Sequence, residues 1–148
     1  MSTLAYHITM GTGFALSVDP GNPNPHGQLI LDNSSMRDAY QTWQLLFYPP
    51  TQASILFNPE TGLYAAPTSL ANGAPVVLFA LPANFVFDGA HTWQVVGDSP
   101  FVLRTQANDD RNLNASGNSW GVGTPIIVYD WGGGQPNEVW ALKMQKIS

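Results

Sequence analysis

The sequence predicts an all-β fold built from three similar units, and three features predict it. Glycines (14) and prolines (12) are spread along all 148 residues. Three tryptophans, Trp43, Trp93 and Trp140, recur at nearly equal spacing, and short apolar runs alternate with turn residues between them. Gly and Pro punctuate the chain so densely that no long helix fits between turn signals. Length and composition, with 44% hydrophobic residues, suit one globular domain whose repeats run approximately over 1–50, 51–98 and 99–148.

Each unit closes on a matching segment: Gln41-Thr42-Trp43-Gln44, His91-Thr92-Trp93-Gln94 and Glu138-Val139-Trp140-Ala141. Ahead of each lies a glycine-led apolar strand, over Gly27 to Leu31, Gly73 to Phe79 and Gly123 to Tyr129, with about three extra residues before Trp93. Further upstream, the runs Phe14 to Val18, Leu63 to Ala66 and Asn112 to Ala115 sit beside Gly, Pro and Asn turns. Opening strands near Tyr6 to Thr9, Ala53 to Phe57 and Phe101 to Thr105 bring the total to about four per unit. Units this small cannot bury a core alone. Three of them around a pseudo-threefold axis close a small barrel with few exposed edges, which is a β-trefoil. The repeated tryptophans are expected to fill its shared interior.

Composition removes several function classes. There is no cysteine, hence no disulfide, thiol nucleophile or thiolate metal site. Five Lys and Arg against ten Asp and Glu leave no basic surface for phosphates, so nucleic acid is not an expected partner. No apolar run approaches the ~20 residues that span a bilayer, and Met1 to Met10 lack the basic start and apolar stretch of a secretory leader. The expectation is a soluble protein without membrane insertion, cytoplasmic or released without a signal peptide. Only 10% of residues are charged, so surface polarity falls largely to Asn, Gln, Ser and Thr, which both donate and accept hydrogen bonds.

Gln41-Thr42-Trp43, the close copy Asn137-Glu138-Val139-Trp140 and the degenerate His91-Thr92-Trp93 make the chain resemble the ricin-B-like lectins, whose repeats end in Gln-x-Trp. The resemblance covers essentially the whole chain. Lack of cysteine and of a leader makes it most similar to the fungal branch, which includes mushroom lectins and the lectin-like light subunit of mushroom tyrosinase. It implies a non-catalytic module with glycans or glycoproteins as partners and no cofactor. It also implies a shallow sugar site per repeat, made of an acidic residue after the second strand, an aromatic on the third, and an amide pair before the tryptophan.

By that resemblance the third repeat is best equipped. Asn114 falls at the acidic position, Tyr129 at the aromatic one and Asn137 with Glu138 at the amide pair. Trp131, two residues beyond Tyr129, shares its face if the strand continues, and Asp109 and Asp110 are candidates for the missing carboxylate. The first repeat offers Ser17 with Asp19 behind it, Asp32 in the aromatic place, then Tyr40 and Gln41, a second candidate site. The second repeat offers Ala65, Phe79 and His91, too few hydrogen-bonding groups for a sugar.

Other motifs read as turns. Gly117-Asn118-Ser119-Trp120-Gly121 fits G-x-S-x-G, but neither a buried strand before it nor a helix after it is expected, so Ser119 is no nucleophile. His7, His26 and His91 lack metal-ligand spacing, Asp109-Asp110-Arg111-Asn112 lacks the calcium-loop pattern, and Gly132-Gly133-Gly134 lacks a phosphate-loop lysine. The expected function is therefore a lectin with one or two shallow sites for a neutral hexose such as galactose, its N-acetyl amine, or mannose. The alternative is a β-trefoil that docks on a partner protein or inhibits a protease. Nothing in the sequence sets the oligomeric state.

Overall fold

The apolar runs become twelve short strands in the computed structural model, which describes residues 3–11, 13–98 and 100–147. The first unit contributes β1 (Thr3–Met10), β2 (Phe14–Ser17), β3 (Ile30–Asn33) and β4 (Thr42–Tyr48). The second contributes β5 (Ala53–Asn58), β6 (Leu63–Pro67), β7 (Val76–Ala80) and β8 (Trp93–Gly97), and the third β9 (Phe101–Thr105), β10 (Asn112–Ala115), β11 (Ile126–Tyr129) and β12 (Ala141–Ile147). Two 3-10 turns, Ala39–Gln41 and Gly89–His91, precede β4 and β8. Each is capped by an aspartate, Asp38 or Asp88, that accepts an N–H from two residues on.

Six strands form a closed ring of antiparallel pairs. β1 pairs with β12 and β4, β5 with β4 and β8, and β8 with β9. Phe101 and Trp140 complete the ring by exchanging two backbone hydrogen bonds of 2.8 Å. The remaining strands form three hairpins, β2–β3, β6–β7 and β10–β11. These meet one another through three equivalent bridges, Gln28 to Val77, Pro75 to Ile127 and Ile30 to Pro125. Ring plus triangular cap is the β-trefoil, and the closed pairing leaves little unpaired edge.

The threefold relation fixes which residues correspond. The indole Nε1 of Trp43, Trp93 and Trp140 donates to the carbonyl of Leu16, Ala65 and Leu113 at 3.0, 2.9 and 3.0 Å. All three indoles are wholly buried in one cluster with Leu29, Leu31, Val76, Leu78, Ile126 and Val128. A buried indole removes ~150–250 Å² from water, an upper limit of roughly 4–6 kcal/mol each. Satisfying its N–H inside the core removes the penalty an orphan donor would carry.

Two expected correspondences shift by one residue. Because Ala65 sits with Leu16 and Leu113 under the indoles, the second-repeat counterpart of Ser17 and Asn114 is Ala66, not Ala65. The backbone N–H groups of His26, Gly73 and Gly123 donate to Leu78, Val128 and Leu31 at 2.7–2.8 Å, so His26, not Gly27, matches the two glycines. All three take positive φ (73°, 84° and 88°), a conformation that glycine adopts freely and histidine does not.

Candidate functional site

The hairpin β10–β11 carries Asn114 and Tyr129, and the loop before β12 carries Asn137 against its side. The backbone ties them: Ala115 N–H donates to the carbonyl of Asn137 at 2.9 Å. The side chains are tied as well. Asn137 Nδ2 donates to Asn114 Oδ1 at 2.8 Å and to the Ala115 carbonyl at 3.0 Å. In this arrangement Asn114 accepts and Asn137 donates, so Asn114 Nδ2 and Asn137 Oδ1 remain as donor and acceptor for another molecule. They border an open cleft of about 310 Å³ whose walls include Asn114, Tyr129, Asp130, Gln135 and Asn137. Tyr129 is 45% exposed and offers its ring at the rim.

Glu138 has a role that sequence reasoning did not anticipate. Although it adjoins the cleft, only 2% of its surface is exposed. Its carboxylate accepts the backbone N–H groups of Gly132, Gly134 and Gln135 at 2.7–2.9 Å. Gly132-Gly133-Gly134 is thus a nest of N–H groups around the chain's own carboxylate. Gly133 and Gly134 have φ of 89° and 92°, and a Cβ on Gly132 would lie 3.4 Å from both carboxylate oxygens. Gln41, at the equivalent place, is also buried: its oxygen accepts Ser35 N–H at 2.9 Å and its nitrogen donates to the Asn33 carbonyl at 2.7 Å. Both residues were expected at the sugar; the structure shows their polar atoms holding the loops that shape each unit.

Trp131 and Asp110 are displaced from the cleft where they were expected. Strand β11 stops at Tyr129, so the two-residue alternation does not reach Trp131, whose backbone N–H instead donates to Asp110 Oδ1 at 2.9 Å. Trp131, Asp109 and Asp110 line a different groove. Asp130 lines the cleft of the Asn pair, with Ser116, Asn118 and Gln135 adding polar groups. Sequence reasoning missed these four. Asp130 was findable, since it directly follows the aromatic position.

In the first repeat, Asp19 Oδ1 accepts the N–H of Gly21 at 2.9 Å in a tight turn, and Tyr40 packs against the main core. Ser17 is fully buried, its hydroxyl donating to Val18 O at 2.7 Å. These groups are largely committed to the fold. In the second repeat, the space is filled by rings: Phe79 lies 4.7 Å from His91 and 5.7 Å from Tyr64, and Tyr64 packs edge-on against Phe87. The Tyr64 hydroxyl shares a 2.7 Å hydrogen bond with His91 Nδ1, and burial, with Asp88 nearby, pushes its pKa above the ordinary tyrosine value. The G-x-S-x-G segment lies in the β10–β11 connection, without a helix after it.

No protein-family model matches the chain, and no curated protein matches it. Solved structures do. The Rhizoctonia solani agglutinin shares 19% identity over 95% of this chain and 94% of that one, with a TM-score of 0.80. A Macrolepiota procera ricin B-like lectin, solved in complex with lactose, shares 18% over 94% of each chain at 0.74. The C-half of an earthworm R-type lectin, solved with GalNAc, shares 14% over 96% and 98% at 0.71. The chain has the β-trefoil fold, and its structural neighbours include ricin B-like lectins, fungal ones among them.

Proposed function

We propose that the third-repeat cleft binds a neutral hexose, and that the protein is a lectin acting without catalysis. The observation that carries this reading is the Asn114–Asn137 pair, which leaves one free donor and one free acceptor beside an exposed aromatic ring. A pyranose presents the complement: adjacent hydroxyls on one edge and a C–H face for Tyr129 to cover. Asp130 adds a carboxylate that accepts from a further hydroxyl. Glu138 positions the Gly132–Gln135 wall and touches the sugar at most indirectly. Two of the similar structures were solved with lactose or GalNAc, which favours galactose-type sugars as the first to test. An open site of this kind binds at about millimolar to micromolar levels, roughly 4–8 kcal/mol, so strong attachment to a cell surface needs several sites.

A glycan array probed with wild type and with Asn137→Ala tests the reading. Retention of galactose-, GalNAc- or mannose-terminated glycans by wild type, and their loss in N137A, is expected. A wild-type protein that binds no glycan overturns it, and inhibition of a protease by that same protein would move the function to partner docking.

A further inference from the structure

Two shallow clefts adjoin on the barrel wall, separate from the Asn114–Asn137 cleft. One, of about 420 Å³, has Trp131, Asp109 and Asn112 in its lining; the other, of about 450 Å³, has Phe47, Gln52 and Ser54. Val96 and Arg104 line both, so the two lie side by side across β8 and β9. Each cleft carries one exposed aromatic: Trp131 at 46% and Phe47 at 62% exposure.

The groove is built, not incidental. Trp131 is fixed by its N–H bond to Asp110, and its indole rests over Gly134, where a Cβ would lie 3.6 Å from the ring. Arg104 Nε donates to Gln94 Oε1 at 3.3 Å, while the one ion pair among the described residues, Arg111 with Asp110 at 3.9 Å, leaves its guanidinium without a carboxylate. The linings add amides and a hydroxyl, groups that can donate and accept, with one guanidinium and two carboxylates among them. Open, mixed in polarity and carrying a flat ring in each cleft, this surface matches a chain of sugar rings: hydroxyls along the edges, C–H faces over the aromatics. Two aspartates against one arginine disfavour an anionic polymer.

We propose that this wall is a second, independent saccharide-binding surface, taking a linear neutral oligosaccharide that runs from Trp131 to Phe47. It stands apart from the hexose site: no residue that holds Asn114 or Asn137 takes part in it.

Titration calorimetry with cellohexaose, maltohexaose and chitohexaose, and with their monosaccharides, tests the proposal, alongside indole fluorescence in the presence of choline chloride. At least one hexasaccharide is expected to bind more tightly than its monomer, and Phe47→Ala or Trp131→Ala to weaken it by about tenfold, the loss of one stacking contact. N137A is expected to leave that binding unchanged. F47A is the cleaner variant because W131A also removes the contact with Gly134; an unchanged melting temperature shows that each still folds. Failure of all three hexasaccharides to bind overturns the proposal, as does binding that N137A abolishes and F47A spares. Choline quenching of the indole without any hexasaccharide binding would assign the groove to a cation and equally overturn it.

Discussion

The side-chain nitrogen of Asn137 donates to the side-chain oxygen of Asn114 at 2.8 Å, joining the loop before β12 to strand β10 across 23 residues of chain. That bond sets which amide atoms face the cleft. Asn114→Asp keeps an acceptor for Asn137 while turning the free donor into a charged acceptor, the group expected at this position in a ricin-B-like site. Charge-assisted hydrogen bonds are about twice as strong as neutral ones, so N114D is expected to bind hexose several-fold more tightly and Asn114→Ala roughly tenfold or more weakly. Calorimetric titration of the two variants checks both directions.

Glu138 is irreplaceable by its own amide. Three N–H groups converge on its two oxygens, whereas a glutamine in its place would turn an N–H₂ toward at least one of them. Glu138→Gln is expected to lower stability by about 1–3 kcal/mol and to weaken sugar binding together with it, because the Gly132–Gln135 wall loses its anchor. Urea unfolding and hexose titration on the same sample measure the two effects. A variant as stable as wild type contradicts the clamp.

Each indole serves the core twice, by volume and by its hydrogen bond. Trp93→Ala is expected to cost about 3–5 kcal/mol, and Trp93→Phe less, most of it from the Ala65 carbonyl left without its donor. Denaturant midpoints at constant m-value give the comparison.

His7 makes stability depend on pH. Its Nε2 shares a 2.8 Å hydrogen bond with Ser34 Oγ, and its Nδ1 has no hydrogen-bond partner among the described residues. Burial lowers its pKa from the ordinary 6.5, and the charge of Lys143 adds to this, against opposing pulls from the Gln41 backbone and Asp38. The folded chain therefore holds the proton less tightly than the unfolded one. Stability from this group is fully present above about pH 6.5 and declines as pH falls below it, toward the lowered folded pKa. Urea midpoints between pH 8 and 5 are expected to fall, and His7→Leu to flatten that part of the curve. An unchanged slope in H7L places the pH dependence elsewhere.

The threefold plan was legible because tryptophan is rare and its positions recur. Two nearly equal spacings allow little besides a shared interior, and the indoles do share one carbonyl-bonded geometry. Asn114, Tyr129 and Asn137 were legible for the same reason, each lying at a fixed offset from a repeated landmark. What depended on where a strand ends was not. Trp131 follows Tyr129 by two residues, yet β11 stops between them and Asp110 captures the Trp131 N–H, so two aromatics expected on one face serve two grooves. Asp130, in the gap, reaches the cleft instead. Nor does composition distinguish a ligand-binding amide from a loop clamp. Gln41 and Glu138 differ in sequence but do the same work, each suited to the partners its loop presents: a donor and an acceptor for Gln41, donors alone for Glu138. The misplaced Gly27 has a related origin: the position with positive φ is a glycine in the other two units and His26 in the first, so matching glycine to glycine shifts the first unit by one residue.

Whether sugar engages the Asn114–Asn137 cleft is tested most directly by following the side-chain amide resonances of the ¹⁵N-labelled protein while lactose, GalNAc or mannose is added. The expected result is a saturable shift of the Asn114 and Asn137 N–H₂ signals, with the backbone signals of Tyr129 and Gly132 to Gln135 moving alongside. Sugar binding that moves signals elsewhere and leaves both asparagines still, or no movement with any of the three sugars, would contradict it.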